Sequence, residues 1–292
     1  MSAKSRMGDS GPLGRVQAGT LAFPSTAPGA TTRPVHVGPV TIGDGSFTVL
    51  AGPCSIESHT QFESIASFVH SEGAAMLRGG IFKLRTKRSS FQGLGEESYE
   101  IVRAIRELTG MPMVAEVTDP RQLERLVDVV DVLQVGTRNM YNYALLKELG
   151  QIRKPVMLKR GFSALLDEWV SAAEYVTAGG NEDVILCERG IRTFETRMRN
   201  TLDLASVAWL KHHASFPVLV DPSHGTGKPE LIAPMTLAAA AAGADGVLIE
   251  VHPEPARALS DGHQAIDFGQ FAAVMTSLRP LLAALGRELS RA

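Results

Sequence analysis

Cysteine is nearly absent from this chain: its 292 residues hold two, Cys54 and Cys187. Two thiols so far apart in sequence make no disulfide framework, so each is left as a metal ligand or as core packing. Long hydrophobic runs are missing as well. No apolar stretch approaches the roughly 18 residues that read as a membrane span. The N-terminus lacks the basic-then-apolar order of a secretory signal, and the expectation is a cytoplasmic protein with no membrane partner. Charge of one sign is also lacking. A net charge of −2 gives no general attraction to nucleic acid, so any anion site has to be built locally.

Residues 1–34 have few large apolar side chains among their Ser, Gly, Thr, Ala and Pro. Such a segment cannot bury enough surface to offset the entropy of ordering, and it reads as a disordered leader. The remainder, 35–292, reads as one catalytic domain, since the chain is 44% hydrophobic and an α/β barrel uses about 250 residues. Val35 to Val49, VHVGPVTIGDGSFTV, carries short alternating runs around Gly-Asp-Gly, a hairpin signal expected to cap the barrel floor.

Eight short, almost continuously apolar runs follow: FTVLAG (47–52), AAMLRG (74–79), PMVAEV (112–117), VLQVG (132–136), PVMLKR (155–160), VILCER (184–189), PVLVDP (217–222) and GVLIEV (246–251). Parallel strands buried on both faces look like this. Amphipathic stretches separate them. Phe62, Ile65, Ala66 and Val69 mark one helix face behind a Ser58/Gln61 capping box, and Asp119, Pro120 and Gln122 start another helix. Eight β-then-α rounds predict a single (β/α)8 TIM barrel.

In such barrels the C-terminal strand ends form the active site. Those positions hold Cys54, Arg78, Glu116, Arg138, Lys159 with Arg160, Glu188 with Arg189, Asp221 with His224, and Glu250 with His252. Charged ends meeting solvent explain one or two of these, but not all eight. Arg78, Lys83, Arg85, Arg138, Lys159 and Arg189 concentrate positive charge there, which suits a small substrate with carboxylate and phosphate groups. Cys54, His224, Glu250 and Asp261 form a mixed sulfur, nitrogen and oxygen set for a divalent ion, Mn, Fe, Co or Zn, with His252 and His263 as rivals. Cys187, inside an apolar run, reads as core.

The segments AGPCSIES, LRGGIFKLRT, FQGLGEE, LQVGTRNM, KPVMLKRG, ERGIRTFE, VDPSHGTGK and GVLIEVHPEPARALSDG resemble those of 3-deoxy-D-arabino-heptulosonate 7-phosphate (DAHP) synthases of the short bacterial type Iβ-like kind. The resemblance covers roughly residues 45–285, in the family's order. It implies a shikimate-pathway transferase that condenses phosphoenolpyruvate with erythrose 4-phosphate, as a homodimer or homotetramer. It implies that Cys54, His224, Glu250 and Asp261 hold the metal, that Arg78, Arg138, Lys159 and Arg189 bind phosphoenolpyruvate, and that Lys83, Arg85 and Thr86 face the aldose phosphate. Lys83, Glu116 and His224 are the expected catalytic groups, and Asp221 joins the expected substrate contacts. One departure matters. The family's Lys-Pro-Arg-Thr-Ser-Pro loop reads Lys83, Leu84, Arg85, Thr86, Lys87, Arg88 here, which opens a different acceptor such as arabinose 5-phosphate. Two further alternatives are a Schiff-base aldolase built on Lys159 and a non-catalytic anion-binding homologue.

Overall fold

The computed structural model describes residues 29–84 and 88–292. Residues 1–28 of the expected leader, and Arg85 and Thr86 of the expected aldose site, lie outside the described residues.

Two short strands, β1 (Val35–Val37) and β2 (Val40–Ile42), pair antiparallel. Eight more follow: β3 (Thr48–Gly52), β4 (Met76–Arg78), β5 (Met113–Val117), β6 (Val132–Val135), β7 (Val156–Lys159), β8 (Val184–Glu188), β9 (Val218–Val220) and β10 (Gly246–Glu250). Every one lies within a run expected from sequence. They are all parallel and close into a barrel in the order β10-β3-β4-β5-β6-β7-β8-β9. Helices pack outside, where Val49, Leu77, Ala115, Leu133, Leu158, Leu186, Val220 and Ile249 meet them.

The hairpin turns at Gly38-Pro39, between the paired Val37 and Val40, and not at Gly43-Asp44-Gly45 as the sequence suggested. Gly38 adopts φ 58°, open to glycine at little cost and ready to reverse the chain in two residues. Gly-Asp-Gly instead links the hairpin to β3. The hairpin's inner face, Val35, Val37, Val40 and Ile42, packs with Leu50, Met76, Val114, Val132, Met157, Ile185, Cys187, Leu219 and Leu248 inside the barrel. It therefore plugs one end with hydrocarbon and leaves the other for chemistry. Cys187 is core, and burial pushes its thiol up to about 12.

The helix His59–Ser71 buries Phe62, Ile65, Ala66 and Val69, and Ser58 caps it by accepting from the Gln61 N–H. The return arm of the expected box lands one residue early, on the Glu57 N–H. Asp119 and Gln122 form a full capping box, on a 3-10 turn, Pro120–Gln122, that runs into a short helix. Residues 29–34 lie against the barrel: the Gly29 and Arg33 N–H groups donate to the His212 and Ser215 carbonyls at 3.0 and 2.7 Å. Among the described residues no helix is long and apolar enough to cross a membrane.

Candidate active site

Polar side chains reach the open end because seven of the eight barrel strands carry one at the next inward position past the apolar layer, where β3 has Gly52. Two residues beyond the inward Met76, Val114, Val132, Met157, Cys187, Leu219 and Leu248 come Arg78, Glu116, Gln134, Lys159, Arg189, Asp221 and Glu250. The same alternation corrects the rim expected from sequence. Arg160 and Glu188 are one residue out of phase, so they leave the barrel interior and pair with each other at 3.0 Å, with Asp203 and Ser206 completing the contact. They are part of the wall.

Charges placed on an apolar plug must be paired, and Asp221 does much of this. Its carboxylate is fully buried. One oxygen accepts from the His224 backbone N–H at 2.9 Å, starting the short helix Pro222–Thr226. The other accepts from Lys159 Nζ at 2.5 Å and lies 2.8 Å from His224 Nδ1. Burial alone would raise this carboxyl; the charges of His224 and Lys159 overcome it and hold the group well below the usual carboxylate range. Asp221 was expected to touch substrate. It sits beneath the cavity wall and fixes two residues that face it.

His224 Nε2, turned away from Asp221, lies 3.2 Å from Glu250 Oε1. Burial depresses the imidazole to about 4, so it is neutral near neutral pH and can serve as a ligand. Cys54 and Glu250 come from opposite ends of the barrel segment, yet β10 pairs with β3, and Glu250 stands beside Gly52. Asp261 lies in the following loop with φ 53°, the one left-handed non-glycine among the described residues, and its Oδ2 accepts from the Cys54 thiol at 3.3 Å. One donor atom from each of Cys54, His224, Glu250 and Asp261 lies within 4.8 Å of the others. Ligand bonds of about 2.0–2.3 Å span such separations, and the donor set suits a borderline divalent ion. Burial and then the Glu250 charge push the Cys54 thiol up to about 11, so at neutral pH the sulfur becomes a thiolate ligand only when a cation displaces its proton. Neither His252 nor His263 enters the cluster: His252 is buried beside Glu57, and His263 is exposed.

Beside this cluster opens a cavity of about 220 Å³ whose wall includes Arg78, Lys83, Glu116, Arg138, Lys159 and Arg189, with His224 and Asp261 at the shared edge. Lys83 Nζ donates to the Cys54 carbonyl and thiol, both at 3.0 Å. Burial would lower this ammonium, but Cys54 and Glu116 outweigh it and hold its pKa above the ordinary lysine value. Arg189 donates to the His224 carbonyl at 3.0 Å, and burial lowers it to about 10. The guanidiniums of Arg138, Arg189 and Arg192 stand 5.9, 4.8 and 4.6 Å from the Phe162 ring centroid; the ring's negative face offsets their mutual repulsion. The cavity holds more positive than negative charge and suits a compact anion.

Sequence reasoning missed Phe162, Gln134, Arg199, Ser260 and Gln264. Gln134 obeys the inward alternation and could have been found from it. Ser260 Oγ lies 2.9 Å from Cys54 Sγ, and Gln264 Nε2 donates to Glu250 Oε2 at 2.7 Å; both lie in a loop whose pattern gives no signal.

The profile of the DAHP synthetase I family matches residues 25–283. A phospho-2-dehydro-3-deoxyheptonate aldolase of Thermotoga maritima is 44% identical over 256 residues, spanning 88% of this chain and 76% of that protein. A 2-dehydro-3-deoxyphosphooctonate aldolase of Koribacter versatilis is 32% identical over 267 residues, 84% of this chain and 95% of its own. Among solved structures, a truncated 3-deoxy-D-arabino-heptulosonate 7-phosphate synthase from Thermotoga maritima superposes with a TM-score of 0.83 at 41% identity, covering 88% of this chain and 95% of that one.

Proposed function

Because the chain belongs to the DAHP synthetase I family, we propose that this transferase joins phosphoenolpyruvate to erythrose 4-phosphate, releasing phosphate and 3-deoxy-D-arabino-heptulosonate 7-phosphate with the help of a divalent metal. The observation that carries this reading is a four-donor cluster opening directly onto a cation-walled cavity.

A metal held by Cys54, His224, Glu250 and Asp261 would supply Lewis-acid polarisation of the aldehyde oxygen. The chain's own groups do the rest. Arg138, Arg189, Lys159 and Arg78 hold the phosphate and carboxylate of phosphoenolpyruvate and aim its C3 at the aldehyde, where positioning contributes most. Lys83, a half-buried ammonium at the edge of the donor cluster, gives its proton to the oxygen that becomes an alkoxide. Glu116, across the cavity, holds the water that captures the cationic C2, after which phosphate leaves. A Schiff-base route through Lys159 is disfavoured because Asp221 already engages its Nζ at 2.5 Å.

The test is phosphate release from phosphoenolpyruvate against a panel of four- and five-carbon aldose phosphates, with and without chelator. Erythrose 4-phosphate should support turnover and chelation should abolish it. No release with any acceptor would leave a silent anion-binding homologue, and a preference for arabinose 5-phosphate would move the substrate toward that of the octonate relatives.

Two consequences can be measured separately. A thiol at about 11 is protonated at neutral pH, so metal binding has to displace that proton. Affinity should rise about tenfold per pH unit between pH 7 and 9, the slope of one displaced proton, whereas a flat profile would remove Cys54 from the ligands. The second concerns Gly136, where a Cβ would lie 1.9 Å from Glu116 Oε1. Gly136→Ala must push that carboxylate aside, and because the obstacle is the end of a flexible side chain the fold should survive. A displacement of this kind costs about 10²-fold in kcat; unchanged kcat would take the water-holding role from Glu116.

A further inference from the structure

Glu250 has both carboxylate oxygens engaged. Oε1 accepts from Arg78 Nη1 at 3.1 Å and lies 3.2 Å from His224 Nε2. Oε2 accepts from Gln264 Nε2 at 2.7 Å, and the oxygen of the same amide accepts from Arg199 Nη1. Gln264 is fully buried, whereas Arg199 is exposed and lines the cavity. A single amide thus spans from a cation at the cavity wall to a carboxylate in the donor cluster.

The direction of that amide is fixed by its neighbours. A guanidinium can only donate and a carboxylate can only accept, so the flipped orientation would set donor against donor and acceptor against acceptor. Each hydrogen bond in such a chain polarises the next in a low-dielectric interior. The loop carrying Gln264 is tied to β10 where the Ile266 N–H donates to the Glu250 carbonyl at 3.0 Å, and it closes on itself where the Gln264 N–H donates to the Asp261 carbonyl at 3.1 Å. A change at Arg199 therefore reaches two of the four donors.

We propose that Gln264 is a positioning residue that couples anion occupancy at Arg199 to the grip of Glu250 on its cation. The inference rests on reading Cys54, His224, Glu250 and Asp261 as a metal site. An anion that fixes Arg199 also fixes the amide and, through it, the Glu250 rotamer. Part of the ordering cost of the cation site is then met before the cation arrives. The coupling is reciprocal, so the metal tightens the anion by the same factor.

The experiment is titration of the full chain with Mn²⁺, with and without phosphoenolpyruvate and with no aldose, so that no turnover occurs. In the wild type, phosphoenolpyruvate should tighten Mn²⁺ by about tenfold. Gln264→Met keeps the side chain's length and removes both polar ends. It should still bind each ligand alone, but its coupling factor should fall to about threefold or less, the residue being direct attraction between the two ligands. Arg199→Met, at the exposed end and harmless to the core, should lower the factor to the same degree. The double variant should lose no more than either single one, because both cut the same chain. A merely structural Gln264 would shift the melting temperature and both affinities while leaving the factor unchanged. Full coupling in either single variant overturns the proposal, as does a wild-type factor near one; if Gln264→Met does not fold, Arg199→Met decides. A wild type that binds no Mn²⁺ refutes the metal site instead.

Discussion

Cys54→Ala should fold and fail to turn over. The thiol is buried and its neighbours in the donor cluster are ionised or ionisable, so the variant keeps the cavity and its cations but loses the one sulfur donor. If the metal contributes several kcal/mol of transition-state stabilisation, kcat should drop by about a thousandfold or more. The measurement is phosphate release at saturating substrates with added Mn²⁺, beside a thermal melt to show that the barrel persists. Lys83 also loses the Cys54 thiol contact while keeping the backbone carbonyl of the same residue, so its ammonium stays near the site. Substantial activity that is indifferent to chelation would remove the metal from the mechanism.

Asp221→Asn should have the largest effect on stability. Lys159 is 4% exposed and Asp221 is fully buried, so the substitution leaves a buried ammonium without its counter-charge, a change that costs about 3–5 kcal/mol. At roughly 2–4 °C per kcal/mol for a domain of this size, the melting temperature at pH 7 should fall by about 6–20 °C. Metal affinity should fall about 10–100-fold, because the carboxylate that orients the His224 ring is gone. The pH dependence has a definite sign. The native carboxyl lies well below its usual range, so its contribution is fully present above the unfolded value of about 3.9. It is lost as pH falls through the folded value. The difference in melting temperature between wild type and variant should therefore be constant through neutral pH and shrink below about pH 4. A variant as stable as the wild type at pH 7 would show that Lys159 finds other compensation.

Much of this was legible before any coordinates. Buried parallel strands must be apolar on both faces, so all eight runs stood out, and the rule that barrels work at their C-terminal ends pointed to Arg78, Glu116, the Lys159–Arg160 and Glu188–Arg189 pairs, and Glu250. The phase of the alternation was not legible. In PVMLKR and VILCER every residue up to the charged pair is apolar, so nothing marks which of Lys159 or Arg160, and of Glu188 or Arg189, faces inward. The hairpin turn was misplaced because Gly-Asp-Gly is a turn signal wherever it occurs, and pairing of Val37 with Val40 decides between two such signals.

Residue types and the two periodicities of the backbone determined the architecture, the apolar plug and the polarity of the mouth, since each follows from side chains a few positions apart. Only the closed barrel decided the site. Cys54 and Glu250 lie at opposite ends of the strand sequence and become neighbours because the last strand pairs with the first. Gln264, Ser260 and Arg199 gained their partners from loops whose pattern carries no period. Contacts between segments distant in sequence depend on how the ring closes, and no local pattern encodes that distance.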